Sequence, residues 1–174
     1  MSWYHRLAQW IDSRGGCRDI FVRQPDGGVA LYLRRYYLIK TPIFEAMIHQ
    51  FFLSDEPILH DHPWDSCSII LGGGYSEHVL DRQGRETSYF RHPGYVGVRS
   101  RHQCHRVRLQ PNSEGKVWTI FITGPRRRQW GFVTPTGWIA APEYFRQQGV
   151  ESVQIDHSEF VGWLFPVRRR SESQ

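Results

Sequence analysis

The sequence predicts an all-β protein, an antiparallel sandwich or barrel that is preceded by one short helix. Short runs rich in Val, Ile, Tyr, Phe and Thr follow one another between residues 17 and 123. Turn residues, mainly Gly, Pro, Asn and Asp, separate these runs, and no helical pattern alternates with them. Such spacing is typical of antiparallel sheets, because strands joined by tight turns need no crossover helix.

The first predicted element is a helix over residues 2–13, with Ser2 as its N-cap and Gly15-Gly16 as its stop. Its apolar positions recur at helical spacing: Trp3, Leu7, Trp10 and Ile11. Nine strands follow, and a second short helix is expected after them. The strands are 17–23, 29–40, 44–53, 68–71, 75–80, 86–90, 95–98, 105–109 and 117–123, and the helix is 142–148.

The chain length is that of one domain with a substantial core. We therefore expect a single domain over residues 1–174, with a barrel core at about 17–133 and a C-terminal extension at 134–174. No internal repeat or linker-like stretch divides the sequence.

The composition restricts the cellular compartment and the kinds of binding partner that we expect. The chain has 22 basic and 17 acidic residues, a formal net charge of +5, which permits anionic partners. Its three cysteines cannot all pair with one another, and no leader follows Met1, so we expect a reduced, cytoplasmic protein. No apolar run approaches the roughly 20 residues that span a bilayer. Arginine runs at 126–128 and 168–170 suit exposed turns and tails better than a nucleic-acid interface.

The strongest indication of function is His60-Asp61-His62, which lies between two apolar, strand-like runs. Because side chains alternate in an extended chain, His60 and His62 share one face and Asp61 points away. Two imidazoles on one face can bind a divalent ion if a third ligand comes from elsewhere. Two histidines in this arrangement can equally be strand-end residues that hydrogen-bond to neighbours.

A third ligand is available from the segment before and within the strand 105–109. His105 begins this strand and thus has a fixed orientation, whereas His102 lies in the preceding turn. We favour His105 and keep His102 as the alternative.

The spacing around these histidines resembles the cupin superfamily. The first cupin motif reads Gly, five residues, His-x-His, three or four residues, Glu, six residues, Gly. Here His62 is followed after four residues by Cys67 and after six more by Gly74, with Ser54 at the leading Gly position. In the looser second motif, Gly94 and His105 hold the first Gly and the His. The resemblance implies a double-stranded β-helix, or jelly-roll, cupin barrel.

Cys67 at the acidic position makes the chain similar to the three-histidine thiol dioxygenases of the cysteine dioxygenase type. That resemblance implies Fe(II), or another divalent metal such as Zn, Ni or Mn, held by His60, His62 and His105. It also implies a role for Cys67 and for Arg34, because Arg34 lies 26 residues before His60, where that family holds its substrate carboxylate.

The residues themselves leave both assignments open. Arg34 and Arg35 are adjacent, so only one of them can face the interior, and the alternation of the strand does not choose between them. Cys67 could simply be a small buried hydrophobe. His49 could line the pocket, and Glu77 could face the cavity or solvent.

These observations favour a mononuclear, metal-dependent cupin, most simply a non-haem Fe(II) dioxygenase for a small anionic, thiol or amino-acid-like substrate. Three neutral imidazoles leave the charge of the ion undiminished, which favours anionic ligands. The alternatives are a non-redox cupin that binds a sugar or other small ligand, and a sugar epimerase or isomerase. A homodimer through the edge of strand 29–40 is a candidate assembly.

Overall fold

A computed structural model describes residues 1–23, 28–81 and 83–148, and it is dominated by antiparallel strands. Every predicted strand is present, with ends that differ by a few residues, and so are both helices. The elements, in chain order, are α1 (Trp3–Asp12), β1 (Cys17–Arg23), β2 (Val29–Lys40), β3 (Glu45–Phe51), β4 (Ser66–Gly72), β5 (Tyr75–Leu80), β6 (Glu86–Arg91), β7 (Val96–Arg99), β8 (His105–Leu109), β9 (Val117–Thr123), β10 (Gly131–Thr134), β11 (Gly137–Ala140) and α2 (Ala141–Gln147).

The strands form two layers. Six of them make one sheet in the order β1-β2-β3-β9-β4-β7, and three make a second sheet in the order β6-β5-β8. The short hairpin β10–β11 joins the second layer through His60, whose backbone pairs with both His105 and Phe132. The predicted all-β, antiparallel fold class is confirmed.

The main core lies between the two layers. Leu33, Phe51, Ile70 and Val117 contribute from the larger sheet, and Tyr75, Val107 and Leu109 contribute from the smaller one. Because side chains alternate along a strand, this cluster defines the inner face of every strand that contributes to it. Residues two positions away from a cluster member therefore face the interior.

Helix α1 covers part of the outer face of the larger sheet. Its buried residues, Ala8 and Ile11, pack with Tyr36, Ile48 and Trp118. The predicted apolar stripe is wrong for Trp3 and Trp10, which are half exposed; Tyr4 and Leu7 complete the packed face instead. Neither α1 nor α2, the helices of the described part of the chain, is long and apolar enough to cross a membrane.

Two expectations about the strands need correction. Strand β2 lies between β1 and β3 and is paired on both sides, so it offers no free edge for a dimer. The strand pattern also continues beyond residue 123, because Thr134-Pro135-Thr136-Gly137 closes the β10–β11 hairpin. Most of the expected turn at 25–28, and the extension from residue 149 onward, lie outside the described residues.

Packing of α1 against the sheet yields a stability prediction. Ile48 is 0% exposed, and its replacement by Ala leaves a cavity between the helix and the sheet. We expect Ile48→Ala to lower the free energy of unfolding by about 2–5 kcal/mol, measured by urea denaturation. Ile43→Ala is the matched control, because Ile43 is 68% exposed. Equal losses in the two variants would contradict this packing.

Candidate metal centre

The His60-Asp61-His62 segment is held between two strands. The backbone of His60 exchanges two hydrogen bonds with His105 on β8, each 2.9 Å from nitrogen to oxygen. On the other side, the Asp61 nitrogen donates to the Gly131 carbonyl at 3.0 Å. A short segment that is paired on both sides has a fixed direction, and so do the histidine side chains it carries.

Asp61 anchors the same segment from the opposite side. Its carboxylate is 2% exposed and accepts hydrogen bonds from the Gly131 nitrogen at 2.7 Å and from Trp138 Nε1 at 2.9 Å. Arg128 forms an ion pair with it. These contacts agree with the expectation that Asp61 points away from the two histidines, and no local sequence pattern indicates the anchoring itself.

Three imidazoles converge at this point. The nitrogens that His60, His62 and His105 offer all lie within 4.8 Å of one another. His62 Nε2 and His105 Nε2 are 2.8 Å apart. Two ligand atoms that each lie about 2.1 Å from one ion, with an angle of about 90° between them at the ion, are about 3 Å apart. The spacing of these two nitrogens is therefore suitable for neighbouring positions around a single ion.

His105 is oriented by a buried carboxylate. Its Nδ1 lies 3.0 Å from Oε1 of Glu77 on β5, and Glu77 is 1% exposed. An imidazole that donates from Nδ1 to a carboxylate keeps the Nε2 lone pair free for a metal ion. Glu77 therefore fixes both the direction of His105 and the nitrogen it presents.

Two arginines form ion pairs with the Glu77 carboxylate. Arg91 Nε donates to it at 2.8 Å, and Arg99 forms a second ion pair while its Nη1 donates to Ser68 Oγ at 3.3 Å. Burial alone would raise the pKa of Glu77. The hydrogen bond with His105 and the charge of Arg99 outweigh burial and hold that pKa at about 2. Glu77 is thus ionised at neutral pH.

The environment keeps the two histidines of the motif neutral. Burial lowers the pKa of His60, and the negative charge of Asp55 only partly opposes it. Burial lowers the pKa of His62 further, and the neighbouring His105 and His60 add to this effect. Neutral imidazole is the form that binds metal ions, so no proton must leave these rings first.

Aromatic rings enclose the cluster. Trp64 stacks on His62 with ring centres 6.2 Å apart, and Phe121 contacts His62 from β9 at 6.4 Å. Trp130 and Phe132 contact His60. These rings limit the access of water to the imidazoles.

The structure separates the histidines from the other predicted site residues. Arg34 shares the α1-facing side of β2 with Tyr36 and forms a bidentate ion pair with Asp19, with bonds of 2.5 and 2.7 Å. It does not approach the three imidazoles. The inner face of β2 carries Leu33 and, two residues later, Arg35.

Cys67 also lies on the outer face. Its neighbours in β4, Ser66 and Ser68, are buried on the inner face, and Ser68 bonds to the interior Arg99. Cys67 alternates with them, so the spacing that matched it to a ligand position assigned the wrong face. His102 is exposed in the turn before β8, whereas His105 is in the cluster.

Comparison by sequence finds no matching family model and no matching curated protein. Solved structures do match. The polyketide cyclase RemF from Streptomyces resistomycificus aligns with a TM-score of 0.52 at 19% identity, over 78% of this chain and 89% of that chain. The match to the Fe(II) form of HppE has a TM-score of 0.46 at 11% identity and spans 61% of this chain but only 56% of HppE. KdgF from Halomonas sp. aligns with a TM-score of 0.41 at 23% identity, over 55% of this chain and 82% of that chain.

The strand order and the two-layer core, together with the RemF match, identify the fold as a double-stranded β-helix. Within this fold, the chain carries a three-histidine cluster with the geometry of a divalent metal site. The narrower resemblance to cysteine dioxygenases is not supported, because Arg34 and Cys67 both lie away from the cluster.

The network around Glu77 predicts acid sensitivity of the metal-free protein. The pKa of Glu77 falls from 4.5 to about 2 on folding. Its contribution of about 3 kcal/mol is therefore present above pH 4.5 and is lost as the pH falls towards 2. Glu77→Gln cannot lose this contribution, so the stability difference between wild type and variant, measured by urea denaturation, should shrink as the pH falls. Parallel pH profiles would show that the carboxylate is not stabilised in this way.

Proposed function

We propose that this protein is a mononuclear, metal-dependent cupin enzyme in which His60, His62 and His105 bind one divalent ion. The observation that carries this proposal is the convergence of three imidazole nitrogens, one of them oriented by a buried, ionised carboxylate. Histidines that serve only packing need neither a shared focus nor such an orienting partner.

The donor set fits a divalent transition metal. Three nitrogen ligands from protein leave about three positions of an octahedral ion for other ligands. Iron(II) suits such a set, and it would supply oxygen chemistry on a small substrate bound beside it. The first reaction that we assign to the protein is therefore oxygenation of a small anionic substrate.

The chain's own residues support this assignment by charge and by shielding. Between the two sheets, the Glu77 carboxylate lies against the guanidinium groups of Arg91 and Arg99, and Arg35 lies on the inner face of β2. This excess of positive charge favours an anion over a neutral ligand. The aromatic rings around His60 and His62 restrict water, which strengthens such electrostatic interactions.

Two of the interior side chains, Tyr75 and Glu77, do not suit the epimerase alternative. Such an enzyme needs an acid and a base that are free to exchange protons with the substrate. Tyr75 is 2% exposed, and burial raises its pKa to about 12. Glu77 is occupied by His105, Arg91 and Arg99. Neither side chain is available for that role.

The metal site is tested by elemental analysis of protein purified without chelator or nickel resin. We expect close to one equivalent of metal in the wild type and an affinity at least about tenfold lower in His60→Ala, His62→Ala and His105→Ala. His102→Ala is the matched control and should retain the metal, because His102 is exposed outside the cluster. Unchanged metal content in His60→Ala would end this proposal.

The reaction is tested separately with the iron-loaded protein. We expect oxygen consumption with at least one member of a panel of small carboxylates, including thiol- and amino-acid-type compounds, and none with the His62→Ala variant. Bound iron without oxygen consumption across the panel, combined with thermal stabilisation by a panel member, would favour a non-redox ligand-binding cupin instead.

A further inference from the structure

Two polar side chains of the interior have no role in the three-histidine cluster. Arg35 on β2 and His49 on β3 are partners in the antiparallel register, so their side chains leave the sheet side by side. They share the inner face with Leu33 and Phe51, which belong to the main core. The pair therefore points into the space between the sheets.

Both side chains carry a buried nitrogen without a hydrogen-bond partner. Arg35 Nε and His49 Nε2 are inaccessible to solvent, and no acceptor among the described residues lies within hydrogen-bonding distance of them. His49 is 4% exposed. Arg91 and Arg99, by contrast, both bind Glu77, and no ion pair of the described chain involves Arg35. An unpaired buried polar group destabilises the folded protein, which argues that a ligand satisfies this pair.

Phe121 connects the pair to the candidate metal centre. The ring centres of His49 and Phe121 are 5.0 Å apart. On its other side, Phe121 contacts His62, with ring centres 6.4 Å apart. The charge of Arg35 acts on His49: after burial, it is a further cause of the lowered pKa of His49. A small molecule that extends from the three imidazoles past Phe121 to this pair would therefore meet the positive charge of Arg35.

We propose that Arg35 and His49 form an oxyanion subsite that binds the carboxylate or phosphate group of the substrate. This inference rests on the proposed function and specifies its substrate class. The Arg35 guanidinium can donate to two oxygens of one oxyanion, and His49 can donate from Nε2. A carboxylate or phosphate placed there satisfies both unpaired nitrogens and offsets the excess positive charge of the interior.

The subsite is tested by oxyanion binding to the full-length, metal-free protein, with acetate and inorganic phosphate as separate probes. We expect thermal stabilisation and calorimetric binding of one of them to the wild type, and the tighter binder identifies the oxyanion. Arg35→Met should bind it at least about tenfold more weakly, because a charge-assisted hydrogen bond is lost. His49→Phe, which preserves an aromatic ring of similar size, should also weaken binding and serves if Arg35→Met does not fold.

Arg34→Met is the matched control. It removes the same group one position away, from the face that binds Asp19, and should bind the probe like the wild type. Equal weakening in Arg34→Met and Arg35→Met, or no binding of either probe to the wild type at millimolar concentrations, would overturn the subsite. Metal content of Arg35→Met, measured in parallel, should equal that of the wild type. The metal content of the histidine variants tests only the metal centre, and oxyanion binding by Arg35→Met tests only the subsite. Each proposal can therefore fail without the other.

Discussion

The site depends on how the segment around residue 60 is held from two sides. Its backbone pairs with β8 on one side and with β10 on the other, and the Asp61 carboxylate receives donors from Gly131, Trp138 and Arg128. A carboxylate buried with several donors has little freedom to move. The alternation of the chain converts this restraint into a fixed direction for His60 and His62.

The orientation of the third histidine, His105, is fixed by a charged neighbour, Glu77. Glu77 orients His105, and it is stable as an anion in the interior because Arg91 and Arg99 pair with it. Removal of either arginine would leave a buried carboxylate with less compensation, which costs more than an exposed ion pair contributes. The imidazole cluster and the arginines therefore form one electrostatic unit across β5, β6, β7 and β8.

The fold class and the convergence of three histidines could be predicted from the sequence because both follow from local spacing. Alternation places His60 and His62 on one face, and the strand after His105 fixes a third position. Arg34 and Cys67 show that residue spacing alone does not predict which face of a strand a side chain occupies. Arg34 and Arg35 are adjacent, and only the packing of the core shows which of them faces the interior. The residues between His62 and Cys67 include an irregular stretch in which side chains do not alternate, so a residue count does not predict the face of Cys67. The pairing of Glu77 with Arg99 joins residues 22 apart in sequence, which no local pattern reveals.

His62 and His105 are separated by 43 positions in the chain, and the intervening polypeptide contains β4 to β7. An ion shared by these two side chains would close that stretch into a loop, much as a covalent bridge does, and would restrict the unfolded chain. Unlike a covalent bridge, such a closure is reversible. The persistence of the folded molecule would then depend on how much free metal its surroundings supply, independently of any turnover.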